Sequence, residues 1–352
     1  MPTKAPVVLA ILAAVLFGIA TPASKWLLVD LTPFQLAGLL YLGAALAVAP
    51  SALRQGNLAQ VLRSDRKTRM RLLGAVVFGG MLGPLALLFG LQLAQATSVS
   101  LWLNLELAAT AALGAFVFRD HLSRRGWLGI AAALLASSLL AWGSETAGFA
   151  PGALILLSCL CWGLDNHLTA LIDGISPSQS TFCKGAVAGT VNLAIGATLA
   201  PISVEGADII LAALLLGALS YGASIVLYIR SAQAIGATRA QVLFTSAPFF
   251  GVAVSVAALG ESVSMLHAVA AALFIVGAVL LLIEGHTHEH THEAMTHEHA
   301  HRHDDDHHHT HVHPGLPAWV RHTHRHDHIP SSHGHPHWPD LHHRHRHKES
   351  VE

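Results

Sequence analysis

The sequence predicts an all-α membrane protein: ten transmembrane helices as two inverted five-helix repeats, followed by a disordered His-rich cytosolic tail. Three observations lead there. Of 352 residues, 53% are apolar and only 12% charged, whereas a soluble domain carries about a quarter charged residues. The apolar residues gather into ten separate runs, and the mean hydropathy is +0.51. Charge is partitioned along the chain: residues 1–285 hold 14 Lys/Arg against 11 Asp/Glu, while 286–352 hold 6 against 10 and 24 of the 27 histidines. Thirty glycines and three cysteines fit a helical membrane protein better than a disulfide scaffold. The basic residues sit in short patches between apolar runs rather than on one face, which argues against a nucleic-acid partner.

A hydrocarbon core about 30 Å thick takes roughly 20 helical residues to cross. In a first repeat (6–143) the runs fall at 6–28, 33–50, 72–93, 97–118 and 126–143. In a second (150–284) they fall at 150–171, 178–200, 208–230, 240–259 and 265–284. The first run is too long for a signal peptide and is read as a helix. The 33–50 run is short, and Pro248 interrupts the ninth. Lys and Arg load alternate connections: Arg54, Arg63, Arg66, Lys67, Arg69 and Arg71 in one, Arg119, Arg124 and Arg125 in the next, Arg230 and Arg239 in a third. Lys25 is the exception. Cytoplasmic loops hold the positive excess, so both termini are expected in the cytosol and the bundle in the plasma membrane.

The halves echo each other at offsets of 141–145 residues. Leu31-Thr-Pro-Phe-Gln35 is matched by Ile175-Ser-Pro-Ser-Gln179, and Gln92 with Ala96-Thr97 by Gln233 with Ala237-Thr238. Asp120-His-Leu-Ser123 answers Glu261-Ser-Val-Ser264. Five is an odd number of crossings, so the second copy enters the membrane upside down, the arrangement in which secondary transporters place a site near the midplane. Leu16-Phe-Gly18, Cys161-Trp-Gly163, Pro248 and Leu259-Gly-Glu261 then make 6–284 resemble the EamA family of the drug/metabolite transporter superfamily. That resemblance implies a transporter of amino acids, other small metabolites or drugs, and not an enzyme. The first half departs from the pattern at Arg119-Asp120 and at Glu106-Leu107, which stands where the second half has Ala247-Pro248.

Charges within spans are costly and usually face a cavity or a partner. Glu106 lies near mid-depth in the fourth run, on one helical face with Trp102 and Thr110, and Asn104 is close in depth. It reads as a substrate or proton site, or as a structural carboxylate bonded between helices. Asp165 and Lys184 fall at equal depth on adjacent antiparallel helices, a spacing that permits an ion pair. Lys184, Ala188 and Asn192 share a face, and Gly185-xxx-Gly189 lets a neighbour approach. Asn166 and His167 add polar atoms, with His167 near the helix end. Pro22, Gly79-Gly80 and Gly83-Pro84 mark sites of broken or kinked helix. Ser220, Ser224 and Tyr228 read as a packed interface, and Cys159, Cys161 and Cys183 as small buried apolar residues.

The tail (285–352) is poor in apolar residues and carries Pro314, Pro317, Pro330, Pro336 and Pro339, a composition that predicts disorder. Its His286, His288, His290, His292, His297, His299, His301, His303, His307, His308, His309, His311 and His313 offer imidazoles to zinc or nickel. No cofactor is required by the core. The expected partners are the lipid bilayer, a small-molecule substrate and metal ions, and a homodimer is compatible with the sequence. The leading expectation is a secondary transporter, an exporter of small metabolites with proton coupling and a cytosolic metal-binding tail. The alternatives are a divalent metal cation transporter and a metal-sensing membrane scaffold.

Overall fold

The computed structural model describes residues 4–54, 61, 64–118, 122–143, 148–172, 175–201, 207–235, 243–282, 286–292, 295–301, 322–328 and 331–337. The chain divides into two units, Met1–Glu284 and Gly285–Glu352. The first is a bundle of apolar helices: α1 (Ala5–Leu27), α2 (Pro33–Arg54), α3 (Arg66–Leu93), α4 (Ala96–Phe118), α5 (Arg124–Trp142), α6 (Phe149–Thr169), α7 (Ser178–Leu199), α8 (Ala207–Tyr228), α9 (Ala247–Leu259) and α10 (Met265–Leu281). The first eight are long and apolar enough to cross a membrane; within the described residues α9 and α10 are shorter. Many large apolar side chains point outward, Val29, Phe116, Trp142 and Met265 among them, as a lipid-facing surface requires.

The helix starts explain much of the internal repeat. At α2, Thr32 N–H donates to Gln35 Oε1 at 3.0 Å and Gln35 N–H to Thr32 Oγ1 at 3.3 Å. At α7, Ser176 and Gln179 exchange the same two bonds at 3.1 and 3.2 Å. Both are capping boxes, each answering two otherwise unpaired amides. Two boundaries differ from expectation. Helix α2 runs past Pro50 to Arg54, with Pro50 inside the helix, where its missing N–H leaves the carbonyl of Leu46 without the usual ladder bond. Helix α3 begins at Arg66 rather than 72, because Asp65 accepts from the amides of Lys67 (2.8 Å) and Thr68 (3.2 Å). Bonds from the Thr68 side chain and backbone hold that carboxyl below the usual carboxylate range. A basic stretch read as loop is thus the first two turns of a helix.

Several helices depart from the α form where the site lies. The helical run of α1 is interrupted at Ile19, and that of α4 at Leu103-Asn104. Helix α3 widens to a π-helix over Ala75–Leu82 and α8 over Gly217–Ala223. These segments begin 142 residues apart, the offset at which the sequence repeats. Packing obeys the same symmetry. Helices α2 and α7 pack on each other, as do α5 and α10; α1 packs on α8 as α6 does on α3, and α1 on α9 as α6 does on α4. At the α5–α10 crossing Gly129 and Gly277 face one another: a Cβ on either would come within 2.8–2.9 Å of the other's carbonyl oxygen, so both positions need glycine for the backbones to touch.

In the second unit four stretches run as strands: β1 (His286–His292), β2 (Met295–His301), β3 (His322–His328) and β4 (Ser331–His337). Strand β1 pairs antiparallel with β4, setting His288 opposite His335, and β2 pairs with β3, setting His299 opposite His324. Composition predicts disorder here. The alternation His-x-His has the two-residue period of a strand, a signal that composition alone discards.

Candidate functional site

Glu106 is the eleventh residue of α4, about 15 Å from its start at 1.5 Å per residue and so near the middle of a span. The break at Leu103-Asn104 makes it a first-turn residue of a new helical segment, Leu105–Leu113. Asn166 Nδ2, from α6, donates to Glu106 Oε1 at 3.1 Å, with Glu106 half-buried and Asn166 exposed.

Beside it, Lys184 Nζ of α7 meets Asp165 Oδ2 of α6 at 2.6 Å, with side chains 17% and 8% exposed. Thr169 Oγ1 donates to the other carboxylate oxygen at 2.9 Å. Helix α3 makes room for the pair: Gly79 lies against Asp165, and a Cβ there would overlap the carboxylate. The π-helical turn takes carbonyls out of the ordinary ladder, and side chains claim them. The Tyr41 hydroxyl and Trp162 Nε1 both donate to Gly79 O, and Asn192 Nδ2 donates to Gly80 O at 3.2 Å. Asn192 is fully buried, and its Oδ1 has no partner among the described residues.

Aromatic rings complete the surroundings. Tyr41 lies 5.6 Å from Tyr221, Tyr221 5.8 Å from Phe17, Phe17 5.4 Å from Phe244, and Phe244 5.0 Å from Tyr228, centroid to centroid. Tyr41, Tyr221 and Tyr228 are the chain's three tyrosines, and all lie within electrostatic reach of Glu106. So do Asp165 and Lys184. Glu106, Asp165 and Lys184 together carry a net charge of −1 when ionised.

The structure thus brings together Glu106, Asn166, Asp165, Lys184 and Asn192. It sets two other candidates apart. Trp102 is fully buried on the far side of the helix break, its Nε1 donating to Ser137 O of α5 at 3.2 Å. Asn104 turns back on its own helix, donating to Leu101 O at 2.9 Å. Trp102 and Glu106 both lie toward α6, Trp102 against Gly152 and Glu106 against Asn166, but the indole N–H is committed to α5. His167 Nε2 meets Thr110 O at 3.0 Å and its ring stacks on Phe118, an interhelical role. Ser220 and Ser224 bond the α1 carbonyls of Leu16 and Ala13 at 2.6 and 2.9 Å, the packed interface their spacing suggests. Cys159 and Cys161 are buried and free. Among the described residues no group of three or more His, Cys, Asp or Glu is placed to hold a metal. Of the tail histidines, His303, His307, His308, His309, His311 and His313 lie outside the described residues.

Sequence reasoning missed Tyr41 and Tyr221, and took Trp162 and Phe17 only as marks of the family resemblance. A phenol or indole N–H at mid-membrane depth must find an acceptor, and that was the available signal. It also missed the roles of Lys25, Glu261 and His267 at the other end of the bundle, where Lys25 Nζ donates to Leu91 O and Ala94 O at 2.7 and 2.9 Å.

Two structurally matched sets of five helices, with interrupted helices and unbalanced charge meeting at mid-depth, define a multi-pass membrane transporter. The sequence profile of the EamA-like transporter family matches residues 4–142 and again 151–283. The chain belongs to that family. An uncharacterized transporter from Methanothermobacter thermautotrophicus is 25% identical over 298 residues, covering 78% of this chain and 85% of that one. A solved crystal structure shares the fold, with a TM-score of 0.53 at 18% identity over 80% of this chain and 96% of its own.

Proposed function

We propose that the protein is a secondary transporter that exports a small metabolite across the plasma membrane, with Glu106 as the group that holds the substrate or a coupling proton. On this reading the basic connections and both termini face the cytosol, and the histidine tail is a cytosolic metal-binding appendage. The observation that carries the proposal is the setting of Glu106: a half-buried carboxylate at mid-depth whose bonded partner is the neutral Asn166 amide, while the nearby cation is already engaged by Asp165. A charge in that position costs on the order of 3 kcal/mol on insertion scales, and a leucine would fit the helix without it. Net charge of −1 beside tyrosine and phenylalanine rings favours a solute that carries an ammonium group, which gains from both. A divalent metal as cargo would want several oxygen, nitrogen or sulfur ligands at one depth, and the described core supports this less well.

The test is flux into proteoliposomes of the full-length chain, for a panel of amines, amino acids and zinc, with and without a pH gradient. Glu106→Gln keeps size and hydrogen bonding but removes the titratable charge. The expected result is an inserted protein whose transport is lost or no longer responds to pH. Normal pH-dependent flux in Glu106→Gln would overturn the proposal, and absence of flux for every solute would favour a scaffold.

A further inference from the structure

At the end of the bundle away from the basic loops, the first turn of α4 is held by two side chains from the other repeat. Glu261, in the connection between α9 and α10, accepts from Ala96 N–H at 2.8 Å and Thr97 N–H at 2.7 Å. The first amides of a helix have no partner within it, and Gln95, at the N-cap position of α4, provides no side-chain bond. One residue on, Ser98 Oγ meets His267 Nε2 of α10 at 3.0 Å, both residues buried. Lys25 holds the end of α3 on the other side of the same tight corner.

His267 occupies an unusual place. It is the third residue after Ser264, whose backbone N–H donates to His267 Nδ1 at 3.3 Å, with the Ser264 hydroxyl 2.8 Å from the same nitrogen. A ring nitrogen that accepts an amide proton carries none itself, so the neutral ring's proton sits on Nε2 and is donated to Ser98. Helices α2 and α7 start on the same plan, but with Gln35 and Gln179 in that position. An amide there never titrates. An imidazole does, ordinarily near pH 6.5.

We propose that His267 and Glu261 form a proton-operated latch that locks the second repeat onto the first while His267 is neutral and releases it when His267 is protonated. A proton on Nδ1 sets two donors, Nδ1–H and Ser264 N–H, against each other, so the ring gives up that amide and turns its Nδ1–H toward the Ser264 hydroxyl. The imidazolium then draws on the carboxylate of Glu261, which lies within its electrostatic reach, and pulls it from the α4 amides. The other charged group facing this cluster is Lys25, which Glu261 also reaches. Helix α9 contributes no charged residue, and α5 carries Arg124 and Arg125 at its opposite end. Helix α4 carries Glu106 eight residues from Ser98, roughly 12 Å deeper. The latch holds whatever the cargo, so it stands or falls separately from the assignment of Glu106.

Hydrogen exchange of the full-length chain in lipid nanodiscs reads the latch directly, since the Ala96 and Thr97 amides are its bonded donors. Corrected for intrinsic rates, their protection is expected to fall about tenfold or more between about pH 8 and pH 5.5. His267→Gln restores the capping plan of α2 and α7 without a titrating group, and should keep protection at both pH values. Glu261→Gln should lower protection at both. If H267Q does not insert, H267N serves with the same expectation of a flat profile. Unchanged wild-type protection across this range, or an equal fall in the His267 variant, overturns the proposal.

Discussion

Replacing Lys184 by methionine removes the cation that neutralises Asp165 and leaves that carboxylate beside Glu106. At 2.6 Å the pair attracts by about 6 kcal/mol at an effective dielectric constant of about 20, and the desolvation of two nearly buried groups offsets much of it. Breaking a buried pair from one side nevertheless costs on the order of 3–5 kcal/mol, because the remaining charge keeps its desolvation without its partner. Lys184→Met should fall at the upper end of that range, since Glu106 adds repulsion. Asp165→Asn should fall at the lower end, since Lys184 still has the Glu106 carboxylate within reach. The double variant Asp165→Leu with Lys184→Met carries no stranded charge and should recover most of the loss, with a coupling of at least about 2 kcal/mol. Denaturant unfolding in mixed micelles at fixed pH measures the whole cycle. Single losses below about 1 kcal/mol that simply add would refute the reasoning. Flux through the double variant then separates two roles: retained flux means the pair only locks α6 to α7, and lost flux means the cargo uses it.

Two further outcomes follow from the geometry. Gly79→Ala sets a methyl group onto the Asp165 carboxylate and should cost about 1–3 kcal/mol with a matching loss of flux. Gly74→Ala, on the same helix but against the flexible end of Leu168, should cost markedly less, and equal losses would remove the special role of Gly79. The full-length chain should bind several zinc or nickel ions near pH 7.5 and release most near pH 5, because imidazole must be deprotonated to bind metal. A chain lacking 286–352 should bind few at either pH, and equal binding by the full chain at both would assign the ions to carboxylates.

Helix positions were legible because hydropathy integrates over some twenty residues and survives local error. The register of the repeat was legible for a sharper reason: Thr32-x-x-Gln35 and Ser176-x-x-Gln179 are capping boxes, and such spacing is set by helix geometry alone. The ion pair of Asp165 and Lys184 could be read from equal depth. The interruption of α4 could not, because Leu103 and Asn104 include neither glycine nor proline, and the surroundings impose what the residues do not announce. Nor could the bonds that engage Trp102 and Asn104, to Ser137 O of α5 and to Leu101 O. Glu261 was visible as a repeat match with Asp120, but its target lies 165 residues earlier, a separation that no local pattern encodes.

That separation has a consequence for biosynthesis. When α4 leaves the ribosome, the amides of Ala96 and Thr97 have no acceptor, and the one they finally use is 165 residues from being made. At about 5–20 residues per second the wait is roughly 8–33 s, long compared with the microseconds in which a helix forms. Through that interval the corner between α3 and α4 has Lys25 on one side and an open helix start on the other. The first five helices are therefore an unfinished object until the ninth has been threaded. A ribosome stalled before Glu261 should leave a nascent chain whose α4 start exchanges its amides freely, however well the rest of the first half has packed.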